Sequence, residues 1–150
     1  MNTKAIGVAI VTLGLAFAAS IVSMAASHKA AAETEHKIVI QVSTDDPRTQ
    51  TIALNNAVNL QKHYGVDNIS IEIVAYGPGL NMLTTKSKSV ERITSLAQQE
   101  ITFSACGNTM EKMEAKSGKK PKLLEGVGKV TAGVAQIMEL QEQGYAYVRP

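Results

Sequence analysis

The chain has no tryptophan, only two phenylalanines and four tyrosines, and a single cysteine among its 150 residues. With aromatics at 4%, there are too few rings to build a surface that stacks nucleic-acid bases. One cysteine excludes an intramolecular disulfide, a Cys-x-x-Cys redox pair and a cysteine-built zinc site. His36 and His63 have no metal-ligand spacing, so no metal is expected. Gly77-Pro78-Gly79 lacks the third glycine of a dinucleotide fingerprint, because Met82 stands there. Gly128-Lys129 is followed by Val130 where a phosphate-binding loop needs Ser or Thr. No cofactor is therefore expected.

Apolar residues make up 45% of the chain, enough for a core of Ile, Val, Leu, Ala and Met. The N-terminus differs from the rest. Lys4 precedes an uncharged run from Ala5 to Ala19, and small residues follow, with Ser23-Met-Ala25 and Ala30-Ala-Ala32 as cleavage tripeptides. A basic start, an apolar run and an Ala-x-Ala-like end read as a secretory signal over residues 1–32. Cleavage after Ala32 is favoured, with Ala25 as runner-up and an uncleaved membrane anchor as the alternative. The expected location is the periplasm, free or anchored and facing it. Lys4 and Lys29 lie in residues 1–32 and no acidic residue does, so residues 33–150 keep 13 basic and 13 acidic residues. That balance points away from a nucleic-acid partner.

Residues 33–150 read as one domain. Lys37–Ser43 is a β-branched strand. Asp46 and Pro47 are the N-cap and first residue of a helix that ends at Tyr64 before Gly65, with Ala53, Ala57, Leu60 and Tyr64 inward. Ile69–Ala75 is a second strand, broken by Tyr76-Gly-Pro-Gly79. Leu80–Thr85 fits one helical turn, and a second helix covers Ser89–Gln99 with Val90, Ile93, Leu96 and Ala97 inward. Glu100–Cys106 is a third strand. Asn108-x-x-Glu111 has capping-box spacing, so a third helix is expected to start there and run to Gly118. Lys122–Glu125 fits a short fourth strand. Thr131 is expected to cap a fourth helix with Val134, Ile137, Met138 and Gln141 inward, and Tyr145–Val148 is a last strand. Strands alternating with helices imply a mostly parallel sheet with helices on both faces.

Four stretches resemble a known family: Leu54-Asn-Asn-Ala-Val-Asn-Leu60, Val74-Ala-Tyr-Gly-Pro-Gly-Leu80, Phe103-Ser-Ala-Cys-Gly-Asn-Thr109 and the tail from Ala132 to Pro150. Together they resemble the DsrE/DsrF-like family, in particular its exported single-domain branch. The resemblance implies a three-layer α/β/α fold with a five-stranded, mainly parallel sheet, and homo-oligomers, trimers or hexamers. It also implies sulfur relay, since relatives pass sulfur as a cysteine persulfide. The family often has His before Gly-Pro-Gly; here it is Tyr76, which removes a base near the thiol.

Cys106 carries the chemistry in this reading. It stands at the carboxyl end of a strand, where open α/β sheets bind ligands, and just ahead of a helix N-terminus, whose positive end stabilises a thiolate. A buried inert thiol and half of an intermolecular bridge are the other readings that position leaves open. Gly77, Pro78 and Gly79 are expected in the neighbouring loop, with Gly107 and Asn108 beside the thiol. Asn55 and Asn59, four apart on the first helix, are expected to bond a loop or another subunit, or to line the site. The function that follows is a sulfur carrier or sulfurtransferase-like protein of the cell envelope, with a donor or acceptor protein as partner. The alternative is a non-enzymatic oligomeric module that binds a small anion or a protein on the same fold.

Overall fold

The computed structural model describes residues 36–150, and the leader expected at residues 1–32 lies outside the described residues. Five strands alternate with four α-helices: β1 His36–Val42, α1 Pro47–Tyr64, β2 Ile69–Ala75, α2 Val90–Ala97, β3 Ile101–Cys106, α3 Gly107–Ser117, β4 Val127–Val130, α4 Gly133–Glu142 and β5 Ala146–Val148. A 3-10 helix, Gly77–Leu83, follows β2. The strands form one sheet in the order β4-β3-β2-β1-β5, and every pairing is parallel. Among the described residues no helix is long and apolar enough to cross a membrane.

The strand order fixes where the helices lie. From β1 to β4 each new strand is added on the same side of the last, so right-handed crossovers place α1, α2 and α3 on one face of the sheet. The link from β4 to β5 runs back across the whole sheet, and the same handedness puts α4 on the opposite face. Packing follows this division. The larger core joins Ile40, Ile71, Ile73 and Phe103 to Ala53, Leu54, Ile93, Leu96 and Met110 of the first three helices. The smaller one joins Val39 and Val74 to Ile137 and Leu140 of α4.

One helix cannot cover a five-stranded face, and the strands carry polar side chains there. Glu72 is 8% exposed. Its Oε1 accepts hydrogen bonds from Ser104 Oγ at 2.6 Å and from Gln136 Nε2 of α4 at 3.0 Å. Tyr147 of β5 donates through its hydroxyl to Gln41 Oε1 at 2.6 Å. These bonds fasten α4 and the edge strand to the sheet where apolar burial is thin.

Local signals place several boundaries as expected. Asp46 caps α1, its carboxylate accepting from the Thr49 N–H at 2.7 Å, with Pro47 in the first turn. Five expectations are corrected. The fourth strand is Val127–Val130, not Lys122–Glu125; Leu123 instead bridges Thr84 in antiparallel fashion, and Gly126 at φ +80° turns the chain into the true strand. Helix three begins at Gly107 with Cys106 as its N-cap, so Asn108 lies inside the first turn and closes no capping box. Helix four is capped by Ala132 without a side-chain bond, not by Thr131. Its buried stripe is Gly133, Ile137 and Leu140, while Val134 and Met138 are each 62% exposed. A helix alone on its face has no flanking helix to bury a broader stripe. Tyr64, expected inward, lies at the surface edge and stacks on His36 with ring centroids 3.9 Å apart.

Candidate functional site: a thiol between two helix N-termini

Adjacent strands β3 and β4 send their following helices to opposite faces of the sheet. The crevice between their carboxyl ends is therefore a topological switch point, the place where open α/β sheets bind ligands. Cys106 is the last residue of β3 and pairs in register with Val130, the last residue of β4. It is 5% exposed.

Two glycines let the backbone close around it, and a third seats the neighbouring loop. A Cβ on Gly107 would fall 2.9 Å from the Val130 carbonyl oxygen and 3.1 Å from that of Thr131, so only glycine lets α3 start this close to the end of β4. The Asn108 N–H donates to the Thr131 carbonyl at 3.1 Å and ties the two strand ends together. A Cβ on Gly133 would fall 3.2 Å from the Cβ of Cys106 and 3.2 Å from that of Tyr76. The first residue of α4 thus sits against the thiol from the other face. A Cβ on Gly79 would fall 2.3 Å from the Val42 carbonyl oxygen, which locks the 3-10 helix against the end of β1.

Cys106 occupies the N-cap of α3 with extended backbone, φ −69° and ψ 117°. Its side chain makes no capping hydrogen bond to the first turn, whose N–H groups lie at the free end of the helix. Burial pushes the thiol pKa up. The Thr109 hydroxyl and the backbone N–H groups of Gly133, Thr109 and Asn108 pull it down, and the balance lies below the ordinary value of 9.0. The N-termini of two helices thus meet at one sulfur, and the positive end of each dipole favours a negative charge there. The site is built from hydrogen-bond donors and fixed dipoles, which is what a thiolate or a persulfide anion requires.

The other sequence-derived residues are placed as follows. Gly77, in the left-handed region at φ +53°, donates its N–H to Thr109 Oγ1 at 2.9 Å, so the loop meets the site through that threonine. Pro78 is exposed and Gly79 is buried against β1. Gly107 and Asn108 form the first turn of α3. Asn55 accepts from Arg92 Nη2 of α2 at 2.7 Å, and Asn59 is exposed on α1; neither is among the groups drawing down the Cys106 pKa. A cavity of about 380 Å³ opens elsewhere, lined by Asp67, Ser70, Glu72, Glu100, Thr102 and Tyr145 among others. It flanks the amino-terminal halves of β2 and β3, away from Cys106. Among the described residues no cluster of ligating side chains could hold a metal ion.

Sequence reasoning missed Thr109 and Gly133 as neighbours of Cys106. Thr109 was legible in principle, since it stands three residues after Cys106, the spacing of an N-cap and its partner. Gly133 was not, because only the crossover back over the sheet brings it there.

Solved structures bear out the architecture. A protein of unknown function from Methanobacterium thermoautotrophicum, MTH1491, superimposes with a TM-score of 0.69 at 32% identity, covering 77% of this chain and 99% of that one. The ychN protein from E. coli superimposes with a TM-score of 0.60 at 9% identity, with the same coverage, and at that identity it shows the fold alone. No curated protein matches the chain. The model of the DsrE/DsrF-like family matches residues 36–150, the whole described domain, and the chain belongs to that family, whose fold is associated with sulfur relay.

Proposed function

We propose that this protein is a sulfur carrier of the cell envelope that holds sulfane sulfur as a persulfide on Cys106. The observation that carries the reading is the convergence of the α3 and α4 N-termini on that one sulfur, with its pKa drawn below the ordinary thiol value. In the loading step the Cys106 thiolate attacks the terminal sulfur of a persulfide or polysulfide donor. A new S–S bond forms on Cys106, the donor's S–S bond breaks, and the donor leaves as a thiolate. In the unloading step an acceptor thiolate takes the outer sulfur and Cys106 leaves as the thiolate. Each step moves one sulfur atom with no net oxidation, and the donors around Cys106 hold the negative charge in both states.

In this reading the uncharged N-terminal segment after Lys4 is an export signal, the chain works in the periplasm or at the membrane facing it, and donor and acceptor are envelope proteins or small sulfur compounds. Self-assembly as a trimer or hexamer belongs to the same reading. Val134 and Met138 stand exposed on α4, beside a sheet face that one helix covers, and light scattering of the purified domain measures the state directly.

The test is a two-step mass experiment. The protein is loaded with polysulfide, freed of excess reagent and treated with a small thiol. The reading predicts gain of one sulfur and its loss on thiol treatment, with Cys106→Ser silent in both steps. A loaded mass that the thiol leaves unchanged overturns the carrier role.

A further inference from the structure

The cavity of about 380 Å³ beside the amino-terminal halves of β2 and β3 has no part in the Cys106 site. Its volume falls in the range of small-molecule sites, roughly 300–1,000 Å³. Ser70 and Glu72 alternate along β2, and Thr102 of β3 stands in register with Glu72, so all three share one face of the sheet. That face is the one α4 covers in part, since Gln136 of α4 reaches Glu72. Asp67, Glu100 and Tyr145 also line the cavity, and no basic residue does.

Glu72 leaves an oxygen without a partner there. The residue is only 8% exposed, and both of its hydrogen bonds, from Ser104 and Gln136, end on Oε1. No hydrogen bond among the described residues reaches Oε2. Every fully buried side-chain oxygen or nitrogen among them is bonded, so Oε2 is open to the cavity that Glu72 lines. A carboxylate oxygen held away from bulk water without a donor is costly, and a cation that brings a donor offsets the cost. Glu100 supports the same reading. It is the one non-glycine with positive φ among the described residues, at +65°. Glycine would hold that turn with less strain, yet the chain places a carboxylate there, at the cavity wall. Gln61 of α1 pins the turn by donating to the Gln99 carbonyl.

We propose that this cavity binds a small organic cation bearing ammonium or guanidinium groups, of which a short diamine is the simplest. Glu72 Oε2 accepts one N–H from it at depth. Asp67 and Glu100, both exposed, hold its charge at the rim, and the Ser70 and Thr102 hydroxyls accept further N–H groups. Tyr145 supplies an aromatic ring, which also favours a cation. A bare metal ion does not match, because among the described residues no cluster of acids could hold one. This site is independent of the chemistry at Cys106.

The experiment is calorimetric titration of the purified protein with putrescine at physiological ionic strength. It is repeated in the presence of Mg²⁺ and of choline, a cation with no N–H to donate. Glu72→Gln keeps an oxygen for Ser104 and Gln136 and removes the charge; Glu100→Gln changes the rim alone, and thermal melting confirms folding of both. The expected result is saturable binding of putrescine that neither Mg²⁺ nor choline displaces. Binding should weaken about tenfold or more in Glu72→Gln, the loss of one charge-assisted hydrogen bond. A wild type that binds no putrescine overturns the proposal, as does wild-type affinity in folded Glu72→Gln. Displacement by Mg²⁺ or choline as readily as by more putrescine overturns it too, since that marks a surface that only gathers counterions. Binding of a lysine-containing peptide without binding of the free diamine also overturns it. If Glu72→Gln fails to fold, Glu100→Gln decides: weaker binding supports the site, and wild-type affinity overturns it.

Discussion

Gly133 lies so close to Cys106 that a Cβ on it would stand 3.2 Å from the cysteine's own Cβ. The same atom would meet Tyr76 Cβ and Cδ1, also at 3.2 Å. Neither neighbour offers a flexible end to yield, since both Cβ atoms are fixed to backbone. Gly133→Ala is expected to destabilise the fold by about 1–3 kcal/mol, the range for overpacking a close contact. It should also push the N-terminus of α4 off the sulfur and raise the pH at which Cys106 alkylates. Denaturant titration and the alkylation profile check both; an unchanged profile contradicts a role for α4 at the thiol.

Glu72 ties the second face of the sheet to α4. Glu72→Ala leaves Ser104 Oγ and Gln136 Nε2 without the acceptor they share. An orphaned buried donor costs about 1–3 kcal/mol, so a loss of that order is expected in chemical denaturation. Because α4 also carries Gly133, native Cys106 should become more open to alkylation. Wild-type stability in Glu72→Ala would mean that these bonds do not hold the helix.

The lowered pKa of Cys106 carries a stability signature. The native thiol ionises below the ordinary value of 9.0, so between the two pKa values the unfolded chain binds more protons than the native one. Stability contributed by Cys106 therefore rises with pH through that window, is complete above the unfolded value, and is lost as pH falls through the folded one. The stability of the wild type relative to Cys106→Ser should accordingly increase as pH is raised toward 9. A difference that does not change with pH contradicts the depressed pKa.

Much of the fold was legible because strong local signals agree with it. The β-branched runs ending at Val42 and Ala75, the Asp46-Pro47 start of α1 and the alternation of strands with helices all point to a parallel α/β sheet. Cys106 at a strand end was legible for the same reason. What failed was set by tertiary structure. Val127-Gly-Lys-Val130 is short, contains a glycine and becomes a strand only by pairing with Phe103–Cys106, whereas Leu123 and Leu124 carry the stronger local signal. The Asn108-x-x-Glu111 spacing suggested a cap two residues late, because cysteine is not among the usual N-cap residues. The breadth of the buried face on α4 depends on how many helices share its side of the sheet, which helical periodicity does not contain.

The uncharged run after Lys4 predicts processing. Mass analysis of the natively expressed protein should show a new N-terminus between Ala26 and Glu33. A product that retains Met1 and fractionates with the membrane would favour an anchor.

The central proposal, that two helix N-termini favour the thiolate of Cys106 and that it takes up sulfur, is tested most directly by intact-mass analysis of the native protein after polysulfide exposure at neutral pH. The account predicts a gain in steps of one sulfur atom on the wild type and no gain on Cys106→Ser of the same fold. A native protein that gains no sulfur, while its denatured form does, would contradict it.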